Sequence, residues 1–166
     1  MKPVIAFMGL FLAIAGVQLS SNVAAAEQLP GNDPNVSGCA PHPGEGARWL
    51  APCEKAAMAG DGQAALTVGA IYWNGDGVPK DNASAARWWK MAYQDGRPEA
   101  AKLLGDEAYV RMAQAPGPLK VDRAVLDEAT GWYKKAVEVE PNPVLRQQAQ
   151  SRLDQLAQFK SLLPPP

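Results

Sequence analysis

The chain is poor in the residues that most catalytic and metal chemistry needs. Its 166 residues include one histidine, His42, and two cysteines, Cys39 and Cys53. A lone histidine set between Pro41 and Pro43 is an exposed loop residue, and it cannot complete a Ser-His-acid or Cys-His set. Two thiols and one imidazole are also too few clustered ligands for a structural metal site. No catalytic residue, no metal and no cofactor is therefore expected. Charge of one sign is missing as well: 16 Lys and Arg stand against 17 Asp and Glu, a net charge of -1. Nucleic-acid phosphates call for clustered basic residues, so nucleic acid is not an expected partner. Runs of alternating β-branched residues are absent, which argues against strands.

Long apolar runs are absent too, with one exception at the start. Lys2 gives a positive n-region, Val4 to Leu19 is almost wholly apolar, and Ala24-Ala25-Ala26 offers small residues for cleavage before Glu27. Residues 1–26 read as a secretory signal peptide; the alternative is a retained N-terminal anchor, which leaves the domain on the same side of the membrane. Beyond it no stretch is long enough to span a bilayer, so no membrane insertion is expected of the mature chain. Export implies an oxidising compartment, where an even pair of cysteines forms a disulfide more readily than two buried thiols persist. A Cys39–Cys53 bridge closes a loop of about 15 residues, worth on the order of 3 kcal/mol in the chain-entropy model. Residues 27–46, rich in Pro, Gly, Asn and Asp, form an extended arm that this bridge tethers to the first helix.

What remains is helical. A first helix spans about Ala47 to Ala59 and stops at Gly60-Asp61-Gly62. Ala64, Ala65, Val68, Gly69 and Tyr72 then recur at i, i+3, i+4 spacing on one face. Asn74-Gly75-Asp76-Gly77 breaks that helix, and Asp81 caps the next, which carries Ala85, Trp88, Trp89 and Ala92. Asp95-Gly96 ends it, and Pro98 suits the first turn of a helix running to about Ala113. Ala115-Pro116-Gly117-Pro118 is a break, Asp122 caps a helix through about Val139, and Pro141-Asn142-Pro143 breaks again. Residues 144–161 form a polar amphipathic helix, and a Pro-rich tail, 162–166, follows.

The helical part repeats itself. Gly60, Ala64-Ala65 and Gly69 return as Gly96, Ala100-Ala101 and Gly105, each thirty-six positions on. Trp88-Trp89 with Ala92 returns as Trp132-Tyr133 with Ala136, forty-four positions on, so eight extra residues fall in the Ala113 to Val121 loop and the start of the next helix. The repeats occupy about 60–95 and 96–138. These residues resemble the Sel1-like repeat family, relatives of the tetratricopeptide repeats. The first copy fills the family pattern with Ala65, Val68-Gly69, Tyr72, Gly75-Asp76-Gly77-Val78, Asp81, Ala85, Trp88-Trp89, Ala92 and Gly96. The second keeps Ala101, Leu104-Gly105, Asp122, Ala129, Trp132-Tyr133 and Ala136. It departs at the turn, now a Pro-Gly-Pro loop, and at the aromatic position, now Ala108. The resemblance covers about residues 56–140.

The resemblance implies an all-α fold, a short α/α solenoid of antiparallel helix pairs whose outer helices act as caps, in a helical repeat domain over 47–161. It also implies an extracytoplasmic scaffold, periplasmic or extracellular, that binds a protein or peptide partner in its groove. Gly69 and Gly105 are expected to let one helix backbone approach another, with Trp88, Trp89 and Trp132 filling between helices. Trp73 falls outside the repeat pattern and should lean off the core, with Tyr109 as its offset partner. Trp73 and Tyr109 are the candidate groove residues, with Asn74, Glu107 and Arg111 as polar neighbours. Asn74 to Gly77 with Asp81 has some features of a calcium loop but lacks its alternating acids, so turn and cap is the reading adopted. Asp127-Glu128 and Glu138/Glu140 are read as solvated helix faces. Two alternatives to the scaffold stand beside it: a cell-wall or β-lactam hydrolase, as in cysteine-rich relatives with a disulfide in each repeat, and a self-associating structural protein.

Overall fold

The computed structural model describes residues 39, 43–117 and 120–164. The expected signal segment, most of the arm with His42, residues 118 and 119, and the last two prolines lie outside the described residues. Among the described residues there are six helices and no strands: α1 (Gly46–Met58), α2 (Gly62–Asn74), α3 (Asn82–Gln94), α4 (Glu99–Ala113), α5 (Arg123–Val139) and α6 (Pro143–Leu162). The fold is all-α, as the sequence pattern predicts.

Local chemistry sets the helix ends. Four N-caps are supplied by side-chain carbonyl or carboxylate oxygens, which satisfy backbone N–H groups that the first helical turn leaves unpaired. Asp61 accepts from the N–H of Gln63 and Ala64 at 2.9 and 3.1 Å. Asp81 accepts from the Ser84 N–H at 3.0 Å, Asp122 from that of Ala124 at 2.8 Å, and Asn142 from that of Val144 at 2.9 Å. At the end of α2 the chain turns left-handed at Gly75, φ 70°, and again at Gly77, φ 69°. L-residues with a Cβ resist this geometry, so the turn depends on glycine.

That turn is also a seat for α1. A Cβ at Gly46 would lie 2.4 Å from the Asp76 carbonyl oxygen, and one at Gly77 would lie 2.7 Å from the Ala47 Cβ. The Asp76 carboxylate accepts from the backbone N–H of Gly44 and Gly46 at 3.3 and 3.2 Å. It therefore caps the incoming helix from another element. The bridge between Cys39 and the fully buried Cys53 pins the same end of the chain to α1, and Thr67 on α2 donates to the Cys39 carbonyl at 3.3 Å.

Each helix packs on the next in sequence, and α4 also meets α6. One cluster of buried apolar residues joins α1 to α4 through Cys53, Ala57, Val68, Trp89 and Leu104. A second joins α4 to α6 through Ala108, Leu126, Tyr133, Ala149 and Leu156. Tyr93 and Trp132, half-buried and edge-to-face at 5.5 Å, pack against both and tie them together.

The repeat has a three-dimensional counterpart. A Cβ at Gly69 would sit 2.3 Å from Trp89 Nε1, and one at Gly105 would sit 2.7 Å from the Tyr133 ring. Trp89 and Tyr133 hold equivalent repeat positions, so each copy drives its second aromatic into a notch in the preceding helix. This corrects the expected backbone-to-backbone approach: what the glycine admits is a ring. Trp89 is buried, whereas Trp88 and Trp132 are half-buried at the edges of the packing rather than inside it.

Candidate binding groove

Alternate helices α2, α4 and α6 bring polar and aromatic side chains together in one open cavity of about 520 Å³. Trp73 enters from the last turn of α2, Lys102, Asp106, Tyr109 and Val110 from α4, and Gln148, Ser151, Arg152 and Gln155 from α6. On α4 these positions follow i, i+4, i+7, i+8, a single helical stripe. On α6 the i, i+3, i+4, i+7 spacing does the same.

Each aromatic is braced. The Trp73 ring leans on Trp89 at 5.5 Å with a 48° tilt, and the Lys80 ammonium lies 5.0 Å from its centroid. The Arg152 guanidinium lies 4.6 Å over the Tyr109 ring. Both cations take up the negative face of a π-system. Between them the Lys102 ammonium holds the Asp106 carboxylate at 2.7 Å, and the Tyr133 hydroxyl donates to the same carboxylate at 2.8 Å. Burial, and then the neighbouring Asp106 charge, push the Tyr133 phenol far above its ordinary range, so it remains a donor.

A second cavity of about 340 Å³ adjoins the first, with Tyr109 and Gln155 lining both. Its wall is apolar: Met112, Ala113, Val121, Leu156 and Phe159. The long loop after α4 supplies part of this wall through Ala115 and Gly117. Ala115, Gly117 and Val121, from the stretch that lengthens the second repeat, thus border a hydrophobic recess beside a charged trough.

The candidates named from sequence divide. Trp73 and Tyr109 line the same cavity. Trp73 is not off the core, however: it is half-buried against Trp89 and shows only part of its surface to the groove. Asn74 lines a different cavity, of about 690 Å³, between α2 and the segment around Pro43 and Gly44. Glu107 and Arg111 are not in the groove. Glu107 is 5% exposed, and Arg111 holds its two oxygens at 3.2 and 3.0 Å while also reaching Glu128 of α5 at 2.8 Å. Glu107 and Arg111 share a helix stripe with each other, not with Asp106 and Tyr109, so they clamp α4 to α5.

Two readings of acids are corrected by the same logic. Glu128 is a half-buried partner of Arg111 and lies 3.9 Å from Lys90, and Glu140 is 4% exposed, accepting from the Asn142 N–H at 2.9 Å. Neither belongs to a solvated face; Asp127 and Glu138 do. In the turn after α2, Asp76 and Asp81 are both occupied by backbone N–H groups, so turn and cap describes them fully. Among the described residues no group of three or more His, Cys, Asp or Glu is placed to hold a metal ion, and no helix is long and apolar enough to cross a membrane.

Sequence reasoning missed Lys102, Asp106, Gln148, Arg152 and Gln155. The α4 pair could have been found by stepping back from Tyr109 along its stripe to Asp106 and Lys102. The α6 set could not, because nothing local says that a polar terminal helix faces the flank of α4. Comparisons with family models, with curated proteins and with solved structures return no match for this chain.

Proposed function

We propose that this chain is an exported binding module of the Sel1-like, short α/α-solenoid type, and that it holds a protein or peptide partner in the groove between α2, α4 and α6. One observation carries the reading: three alternate helices, far apart in sequence, converge braced aromatics, an ion pair, a guanidinium and side-chain amides on a single open trough. A core wall would not leave such groups facing solvent, because polar side chains turned inward need partners. Repetition of the glycine notch and its aromatic supports the repeat assignment. The Cys39–Cys53 disulfide supports residence in an oxidising compartment, in keeping with the apolar leader and its small-residue cleavage site.

A site-specific photo-crosslinker at Gln155, in the native cell envelope, tests the role. A discrete protein adduct, lost when Trp73→Ala is added and kept when exposed Arg146→Ala is added, is the expected result. Adducts indifferent to Trp73, or the absence of any adduct, would count against groove binding.

A further inference from the structure

We infer that the groove, on the reading just given, takes an extended peptide segment that carries a bulky apolar side chain two to three residues from an acidic one. The apolar side chain enters the recess lined by Met112, Val121, Leu156 and Phe159, and the carboxylate meets Arg152.

Charge carries the acidic half. Asp106 is already matched twice, by Lys102 and by the Tyr133 hydroxyl. Arg152 has no carboxylate partner among the described residues; it donates to Gln155 Oε1 at 3.0 Å and rests on the Tyr109 ring. Lys80, at the Trp73 end, is likewise without a carboxylate partner among those residues. The trough is therefore lined by one unneutralised cation, Arg152, beside one neutral pair, with Lys80 against its Trp73 wall, on a chain of net charge -1. Complementary charge sets which partners are admitted.

Adjacency carries the apolar half. Tyr109 and Gln155 wall both cavities, so a ligand leaving the charged trough passes directly into the apolar recess. Its volume of about 340 Å³ lies at the small end of ligand cavities, which run from ~300 to ~1,000 Å³. Arg152, Leu156 and Phe159 lie along one stripe of α6, so the cation is roughly 6 to 10 Å from the recess at about 1.5 Å rise per residue. An extended chain covers that span in two to three residues, at ~3.3 to 3.6 Å each. Gln148, Ser151 and Gln155 line the same trough and can exchange hydrogen bonds with a peptide backbone. A fatty acid has the same charge and apolar tail but no use for those groups.

Fluorescein-labelled, end-capped Ser/Gly peptides bearing one Glu and one Phe, two or three positions apart in either order, test the inference on the purified protein by anisotropy. The Glu/Phe peptide is expected to bind tightest. Changing its Glu to Gln should weaken binding roughly tenfold at low salt and less at high salt, and Arg152→Gln should erase that difference without altering the circular dichroism spectrum. Changing its Phe to Ala, or filling the recess with Ala113→Trp, should weaken binding by a similar factor. If the Gln peptide binds as well as the Glu peptide while Trp73→Ala still abolishes binding, the acidic-apolar rule is wrong and the groove reading survives. If no peptide binds but dodecanoate quenches the groove tryptophan, both are wrong.

Discussion

Gly69 and Gly105 decide more of this structure than their size suggests. Each is mid-helix, where alanine would ordinarily be favoured by ~1 kcal/mol. Here the missing Cβ is the space in which Trp89 or Tyr133 lies. Trp89 is buried and donates its indole N–H to the Leu66 carbonyl at 3.3 Å, so it cannot move aside without losing a hydrogen bond. Gly69→Ala is expected to destabilise by about 1–3 kcal/mol, the cost of overpacking, and Gly105→Ala by somewhat less. Gly131→Ala, in α5 with nothing within 4 Å of its new Cβ, should instead stabilise by roughly 0.5–1 kcal/mol. Urea unfolding followed by circular dichroism separates the three; equal effects at Gly69 and Gly131 would discard the notch.

Tyr133 adds a titration. Its folded phenol ionises well above the ordinary value of 10.0, held up first by burial and then by Asp106. The stability it supplies is therefore complete below pH 10 and drains away as pH climbs beyond it, where the unfolded chain ionises first. Tyr133→Phe should lower stability by about 1 kcal/mol at neutral pH and flatten the alkaline limb of the stability curve. Tyr72, raised in the same direction by burial and by Glu54, leaves a residual slope in both proteins.

Among the elements, the turn from Asn74 to Asp81 works in two directions. Asp76 receives the start of α1, and Asp81 starts α3. Hydrogen bonds from the Ser84 hydroxyl and backbone N–H hold the Asp81 carboxyl below its ordinary 3.8. Its contribution is present above that value and is lost as pH falls through the lower, folded one. Asp81→Ala should therefore shrink the acid limb of the stability curve, the opposite end from Tyr133. The disulfide acts at the same place through the unfolded chain. Replacing Cys39 and Cys53 together by Ala should cost on the order of 3 kcal/mol, and it frees the segment that Thr67 and Asp76 then hold alone. A thermal unfolding midpoint unmoved by reduction would show that those hydrogen bonds suffice.

At the scale of the whole molecule, the last helix completes the second half of the core. Ala149 and Leu156 are buried against α4 and α5, and α6 also supplies one side of the groove. A chain stopped after Glu140 should expose the apolar flank around Met112 and Leu126, lose thermal stability and associate on light scattering. A truncated chain that stays monomeric and equally stable would remove α6 from the core account and the groove with it.

Much of this was legible in one dimension. Helix boundaries were readable because capping and turning are local: Asp61, Asp81, Asp122 and Asn142 each satisfy N–H groups two or three residues away. The repeat was readable because equivalent packing demands equivalent small and aromatic residues at fixed separations. Which face of α4 meets which neighbour was not readable. Asp106 and Glu107 are adjacent acids, yet one lines the trough and the other is buried with Arg111. That division depends on the crossing of α4 with α5 and α6, a choice settled by side chains far apart along the chain. Sequence alone thus determined the all-helical class, the element ends and the paired aromatics, since neighbouring atoms suffice for those. Tertiary structure alone decided that glycine makes room for a ring, that Glu140 is buried, and that Arg152 and Trp73 share one trough, since each requires helices to be brought side by side.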